Sequence, residues 1–267
     1  MGAESQPLSE AQATAVPAIQ IRDLHKVYNG FHAVDGLSVV VPQGSFFGFL
    51  GPNGAGKTTT IKILMGLAQA TSGTVEVFGL KLSEESLAIR KQIGLVPDDT
   101  LLFDYLTGIE YLEFVARLYL LDRPTAKHRA AELLNLFELT ENPRKLIGEY
   151  SKGMRKRVAM ASALIHRPKL FLMDEPFEGV DAVGARLMKD ILLQQVRHGA
   201  TVFLTSHVLE VVERLCTEIA IVNRGKVVVH GTVAELRRQG AAQAASLEDV
   251  FVQAVGGERE GEKLEWL

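Results

Sequence analysis

The segment Gly51-Pro52-Asn53-Gly54-Ala55-Gly56-Lys57-Thr58 matches the pattern G-x-x-x-x-G-K-[ST] in full and constrains this chain more than any other stretch. Glycines at these spacings let the backbone curl so that successive N–H groups converge on a polyphosphate. A helix N-terminus beyond them adds the positive end of its dipole. Such a loop needs a strand before it and a helix after it, and both are legible. Ser45 to Leu50 reads as a buried strand, and the residues from Thr58 to Met65 read as a helix. Lys57 would then reach the β- and γ-phosphates, and the Thr58 hydroxyl would ligate Mg²⁺. A glycine-rich turn that merely happens to carry Lys-Thr is the competing reading, and the strand–loop–helix context disfavours it. The chain is expected to bind a nucleoside triphosphate through Asn53, Gly54, Ala55, Gly56, Lys57, Thr58 and Thr59.

Length and composition set the frame for that site. A chain of 267 residues, 47% of them hydrophobic, suffices for one large α/β domain with an inserted subdomain. The net charge of -3 argues against nucleic acid as the main partner. One cysteine, Cys216, excludes an internal disulfide and is expected to be a small buried residue in a helix. No apolar stretch approaches the ~20 residues that span a bilayer. Met1 to Ala18, rich in Ala, Gln, Ser, Glu and Pro, lacks the basic start and apolar run of a signal peptide and reads as a disordered cytosolic tail.

Periodicity places further elements. Ile19 to Leu24 alternates as a half-exposed strand, and Leu37 to Val41, Thr74 to Phe78 and Ile93 to Val96 read as further strands. From Thr107 to Pro168 the pattern is helical, with one stripe at Ile109, Leu112, Ala116 and Tyr119 and another at Ala130, Leu133, Leu134 and Phe137. Within it, Lys152, Arg155, Lys156 and Arg157 accompany a buried face of Met154, Val158, Ala161 and Ile165. That cluster is expected to be a solvated or phosphate-facing surface rather than a nucleic-acid patch. Leu170 to Met173 and Thr201 to Leu204 are continuous apolar runs, as in strands buried on both faces of a parallel sheet, with a helix from Val183 to Arg197 between them. Asn223-Arg224-Gly225 reads as a hairpin turn between Glu218–Val222 and Lys226–Val229.

The strand from Leu170 ends in two carboxylates, Asp174 and Glu175. Ligands of open α/β sheets lie beyond the carboxyl ends of strands, which puts both acids near the phosphate loop. Asp174 would hold Mg²⁺, and Glu175 would polarise a water for in-line attack on the γ-phosphate. Acids that only cap the next helix are the competing reading of this motif taken alone.

Together these residues resemble the ATP-binding cassette (ABC) ATPases, specifically a nucleotide-binding subunit of an ABC transporter, from about Ile19 to Gly231. Tyr150-Ser151-Lys152-Gly153-Met154 stands where that family carries its signature, and Gly179-Val180-Asp181 matches the loop after the catalytic glutamate. The resemblance implies an α/β P-loop NTPase cassette with a RecA-like core, an N-terminal antiparallel β subdomain and an inserted α-helical subdomain. The cassette would span 19–231 with the helical insertion at about 99–168, leaving a tail at 1–18 and a C-terminal helix and tail at 232–267. It implies that Tyr28 stacks on adenine, although an aromatic there can also simply pack on the sheet edge. It implies that His207 touches the γ-phosphate, although a histidine before a helix can also cap it. Ser151, Lys152 and Gly153 would cap ATP held by the opposite subunit.

Three departures from the family pattern stand out. Lys152 and Met154 replace a glycine and a glutamine of the signature; this form, with Ser246 to Phe251, resembles bacterial export-type subunits of the ABC-2 kind. Asp98 replaces a residue, usually glutamine, that contacts Mg²⁺, with Asp99 beside it as a stand-in. Phe177-Glu178 replaces a small polar pair. The implied activity is hydrolysis of ATP to ADP and phosphate by two subunits, expected to be a homodimer, closing head-to-tail over two MgATP molecules. A multi-span permease would dock near Asp98–Tyr105, where Leu101, Leu102, Phe103 and Tyr105 are either docking surface or core. The protein is thus expected to be soluble by itself and peripheral on the cytoplasmic face of the membrane. Two competing functions are a non-transport ABC ATPase acting on ribosomes, nucleic acid or cofactor assembly, and a regulatory subunit that binds ATP but hardly hydrolyses it.

Overall fold

The computed structural model describes residues 16–239 and 246–256. In chain order its strands are β1 (Ile19–Tyr28), β2 (Phe31–Val41), β3 (Phe46–Leu50), β4 (Ser72–Val77), β5 (Leu80–Lys81), β6 (Ile93–Val96), β7 (Leu170–Asp174), β8 (Thr201–Ser206), β9 (Glu218–Asn223) and β10 (Lys226–Thr232). The helices are α1 (Lys57–Leu64), α2 (Leu82–Arg90), α3 (Gly108–Leu118), α4 (Arg123–Leu136), α5 (Lys152–Leu164), α6 (Ala182–Arg197), α7 (Leu209–Leu215), α8 (Val233–Gln239) and α9 (Leu247–Val255).

Two sheets carry the fold. The first is antiparallel, in the order β2-β1-β4-β5, and the second runs β10-β9-β3-β8-β7-β6. In the second sheet β6, β7, β8, β3 and β9 are parallel, and β10 returns antiparallel through the two-residue turn Arg224-Gly225. β3, β7 and β8 are buried at every position, because both faces of this sheet are covered. Phe47 and Phe49 pack on Phe203 with ring centroids 5.7 and 5.0 Å apart, in the layer between the two sheets. The opposite face meets the helices, with Phe171 and Met173 packed in one cluster with Val158 and Met160. Each such side chain contributes on the order of 1.5–3 kcal/mol by leaving water.

The helical insertion follows the expected stripes: Leu112, Ala116, Ala130, Leu134 and Phe137 are buried. Thr107 and Glu110 form a capping box at the start of α3, Asp122 caps α4, and Ser151 caps α5. The insertion is less continuous than its periodicity suggests, since residues 98–107 form no helix and only one 3₁₀ turn, Ile147–Glu149, separates α4 from α5. Two strands exceed their alternating cores: β1 continues to Tyr28 and β2 begins at Phe31, joined by a turn through Asn29 and Gly30 with positive φ at both. α2 has no counterpart in the sequence reading, because Ile89 is its one buried residue and no stripe marks it. Cys216 is buried as expected, yet it terminates α7 rather than lying within a helix. The tail expected at 1–18 lies mostly outside the described residues. Its last member, Ala18, is fully buried and bonds through its backbone to Val41 and Phe78.

His166, just past α5, stacks on Tyr119 at 3.6 Å and 7° and donates through Nε2 to the Ile93 carbonyl at 3.0 Å. Burial pushes its pKa down to about 4. The unfolded chain therefore takes up a proton near pH ~6.5 that the folded chain refuses until about pH 4. Stability falls as pH drops through that window and no further below it. His166→Gln should flatten this part of the pH profile of urea midpoints; an unchanged slope between pH ~6.5 and ~4.5 would show that His166 does not carry it.

Candidate nucleotide and hydrolysis site

Because β3, β6, β7 and β8 are parallel, their carboxyl ends share one edge of the sheet. That edge carries the phosphate loop after β3, Pro97 and Asp98 after β6, Asp174 and Glu175 at the end of β7, and Ser206 and His207 at the end of β8. The loop is tightly held. Gly56 opens α1 at φ 103, and a Cβ there would meet the Ala33 carbonyl at 2.5 Å, so only glycine fits. Gly225 N–H donates to the Ala55 carbonyl at 3.0 Å, tying the loop to the β9–β10 turn. Asn53 and Gly54 are exposed, Ala55 is buried, and Thr58 and Thr59 lie exposed and half-buried in the first turn of α1. The Lys57 ammonium is buried and donates to the carbonyls of Gly51 at 2.7 Å and Pro52 at 3.2 Å. Burial lowers its pKa, and the charges of Glu175 and Asp174 oppose that shift.

The acid pair is positioned by β8. Asp174 is 3% exposed and accepts a short hydrogen bond from the Thr205 hydroxyl. Glu175 N–H donates to the same residue, to Oγ1 at 3.2 Å and to the carbonyl at 3.3 Å. Glu175 has φ 45, a left-handed conformation disfavoured for a residue with a Cβ, and this turn takes the chain out of the sheet. Burial raises the Glu175 pKa, and the hydrogen bond from His207 opposes the rise. His207 Nδ1 lies 3.0 Å from Glu175 Oε1. It does not cap α7, whose N-cap is Val208 without a side-chain bond. A half-buried carboxylate with a raised pKa beside an imidazole can accept a proton from water.

The start of α5 meets the segment after Glu175. The Ser151 hydroxyl accepts from Met154 N–H at 3.2 Å, and Ser151 and Lys152 are exposed. Gly153 packs on the Gly179 turn. At Gly179, φ is +74 and a Cβ would strike the Lys152 stem at 2.6 Å. The Lys152 ammonium donates to Glu178 Oε1 at 2.7 Å. Glu178, unexplained by sequence alone, is thus the partner of the lysine that departs from the signature. Their bond raises the Lys152 pKa and lowers that of Glu178.

The basic cluster corrects the sequence reading. Only Lys152 is solvated; Arg155, Lys156 and Arg157 turn inward, with side chains 22%, 1% and 16% exposed. Arg155 reaches Asp104 at 2.6 Å and the carbonyls of Ile147 at 3.1 Å and Thr100 at 3.3 Å. Arg157 reaches the Phe137 carbonyl at 3.3 Å. The signal was available: Gly153, Lys156, Met160 and Ala163 recur at helical spacing, and all are buried. Thr205, which precedes Ser206 and His207 at the end of an apolar strand, has a role in holding the acid pair that its sequence position alone does not indicate.

Tyr28, a residue 43% exposed, ends β1 with the Lys26 ammonium 4.5 Å from its ring centroid. Asp98 is exposed, with Oδ1 3.7 Å from the Lys156 ammonium, and Asp99 is exposed beside it. Leu101 and Tyr105 are 85% and 91% exposed and are not core, whereas Leu102 packs against the core. Phe103 lies between, its ring edge-on to Phe114 at 5.4 Å and Tyr111 at 6.1 Å. Away from this edge, His25, His32 and Asp35 bring ligand atoms together, but Asp23 engages His25 at 3.1 Å and the Lys226 ammonium engages Asp35 at 3.1 Å, a balanced surface network. A concavity of about 840 Å³, lined by Arg129, Lys169, Gln195 and His198 among others, sits by the amino-terminal ends of β7 and β8, opposite the phosphate loop.

Thr205→Val keeps the shape of a buried side chain but removes the donor to Asp174 and the acceptor for Glu175 N–H. It should cost about 1–3 kcal/mol in urea unfolding, and a loss within error of zero would show that the two groups find other partners.

The profile of a family described as ABC transporter matches residues 34–178. A daunorubicin/doxorubicin resistance ATP-binding protein of Streptomyces peucetius is 39% identical over 82% of this chain and 67% of its own length. A linearmycin resistance ATP-binding protein of Bacillus subtilis is 38% identical over 82% of this chain and 70% of its own. The chain thus spans about two thirds of these relatives. Among solved structures, an ATP-binding subunit of an ABC transporter superposes with a TM-score of 0.83 at 30% identity, covering 89% of this chain and 99% of its own. A dimeric cassette in a post-hydrolysis state, bound to ADP and Pi, superposes with a TM-score of 0.75 at 25% identity, covering 80% and 98%.

Proposed function

The chain belongs to the ABC transporter family, and from that premise we propose that it is the ATP-hydrolysing subunit of an export-type transporter. The reading rests above all on one observation: Lys57, Asp174, Glu175 and His207 meet at a single edge of the parallel sheet. Lys57 exchanges its bonds to Gly51 and Pro52 for phosphate oxygens, while the loop N–H groups from Asn53 to Thr59 cradle the rest of the polyphosphate. Tyr28 offers an exposed ring to adenine. Buried Asp174 and the exposed Thr58 hydroxyl are hard oxygen donors of the kind Mg²⁺ takes while keeping several waters, and Asp98 is a third carboxylate on the same edge. Thr58 and Asp174, with Asp98 nearby, would hold Mg²⁺, which would supply neutralisation of phosphate charge. Glu175 takes the proton of the attacking water; its raised pKa makes it a better acceptor than an exposed glutamate. His207 orients Glu175 through the 3.0 Å contact and reaches the γ-phosphate.

Similarity to a dimeric, ADP- and Pi-bound cassette supports head-to-tail pairing, with Ser151, Lys152 and Gly153 of each subunit meeting the triphosphate of the other. The relatives named for drug resistance support the export reading, with the cargo determined by a membrane partner. Among the described residues no helix is long and apolar enough to cross a membrane; we assign the transport path to a membrane permease partner. We assign its docking surface to the exposed side chains of Leu101 and Tyr105 and place the subunit on the cytoplasmic face. The relatives reported above carry transport and resistance names, which favours this reading over a ribosomal or assembly ATPase.

Two measurements test it. Glu175→Gln should bind ATP within about threefold of wild type while turnover falls by ~10²-fold or more; undiminished hydrolysis would remove Glu175 from the role of base. Leu101→Ser combined with Tyr105→Ser should abolish co-purification with a polytopic membrane protein while leaving thermal stability unchanged, since both side chains lie outside the core. Persistent co-purification would move the docking surface elsewhere.

A further inference from the structure

Lys156 lies one turn into α5 and is 1% exposed, among the largest fully buried side chains of the protein. Its ammonium donates to the Pro97 carbonyl at 3.0 Å and the Glu175 carbonyl at 3.2 Å, and the Asp98 carboxylate lies 3.7 Å away. Three donors thus face three oxygens. A methionine would fill the same space without desolvating a charge, so packing alone gives no reason for an ammonium here.

The two carbonyls mark where the sheet stops. The β6–β7 ladder ends at the pair Val96–Met173. Beyond it Pro97 has no N–H to donate, and Glu175 leaves the sheet at φ 45. Lys156 takes over at that point, joining the first residue past each strand, Pro97 after β6 and Glu175 after β7, to α5. Those residues carry the Asp98 turn and the Glu175 side chain. The preceding residue, Arg155, holds the rest of the same segment through Thr100 and Asp104.

We propose that Lys156 is a positioning residue for hydrolysis, fixing the Glu175 turn and the Asp98 turn to α5 so that displacement of either α5 or residues 98–104 is transmitted to Glu175. The inference rests on the ATPase reading above and adds to it a mechanical link between the docking segment and the proposed base.

The full chain with Lys156→Met and Lys156→Gln tests this. The first removes the donors, and the second retains an N–H₂ group without the charge. Turnover at saturating MgATP should fall about tenfold or more in Lys156→Met, with KM for ATP changed less than about threefold. Lys156→Gln should recover to within about threefold of wild type. Amides of residues 98–104 and 175–178 should exchange hydrogen faster in Lys156→Met, with protection elsewhere unaltered. The proposal is overturned if Lys156→Met turns over within about twofold of wild type. It is equally overturned if turnover, nucleotide affinity and exchange protection collapse together and Lys156→Gln is no better. Should Lys156→Met fail to fold, the Lys156→Gln turnover and exchange profile decide the matter. A wild-type protein without ATPase activity would sink the reading beneath; the exchange comparison would still judge Lys156.

Discussion

The parallel ladder β3–β8–β7–β6 is the constraint on which the site depends. Its register pairs Leu50 with Ser206, Asp174 with Thr205 and Val96 with Met173. Aromatic and aliphatic side chains fill both faces, so a slip by one residue would exchange the contents of the two layers and is strongly opposed. The register therefore fixes which residue of each strand is the last one paired. Everything with chemistry begins there: the loop from Gly51, Asp98, Glu175 and His207. The functional groups need no long-range network to find one another, because the backbone bonds that build the sheet also align its ends.

Two buried lysines serve that edge in different ways. Lys57 bonds to carbonyls of its own loop, and Lys156 bonds to carbonyls of two strand ends. In both, burial depresses the pKa and nearby carboxylates resist the shift, Glu175 and Asp174 for the one and Asp98 and Glu178 first for the other. The difference lies in what each holds. The oxygens on Lys57 belong to its own loop and to no strand ladder, so on the proposed reading their exchange for phosphate leaves the sheet intact. The oxygens on Lys156 terminate the ladder, and releasing them frees the turns that carry Asp98 and Glu175. One lysine suits binding, the other alignment.

Which parts of this were legible in the sequence follows from how each is stabilised. The phosphate loop was readable because its backbone path tolerates so few residues, as the Ala33 carbonyl against Gly56 illustrates. The strands β7 and β8 were readable because burial on both faces leaves an unbroken apolar run. α2 was not, because a helix with one buried residue writes no period into the sequence. The inward turn of Arg155, Lys156 and Arg157 was not, because charge normally marks a solvated face. What buries them is a supply of carbonyl acceptors at helix and strand ends, and that supply exists only in the fold. Glu178 was opaque for the same reason: its partner lies 26 positions away on another element.

That partnership bears on the proposed contact across a dimer. Lys152 and Glu178 are both about half exposed, so their bond adds little to stability and is open to competition. At a distance the two charges cancel, and the start of α5 presents a dipole rather than a cation to an approaching anion. At contact the balance changes, because a triphosphate carries more charge than a single carboxylate and the helix N-terminus adds N–H donors on the same side. Lys152 can then leave Glu178 for the phosphate, and the freed carboxylate is repelled by it. An attraction that is short-ranged and opposed by a neighbouring charge discriminates sharply between near and distant anions. On the proposed reading, the departure from the signature retains an anion site while making its engagement depend on close approach of the opposite subunit.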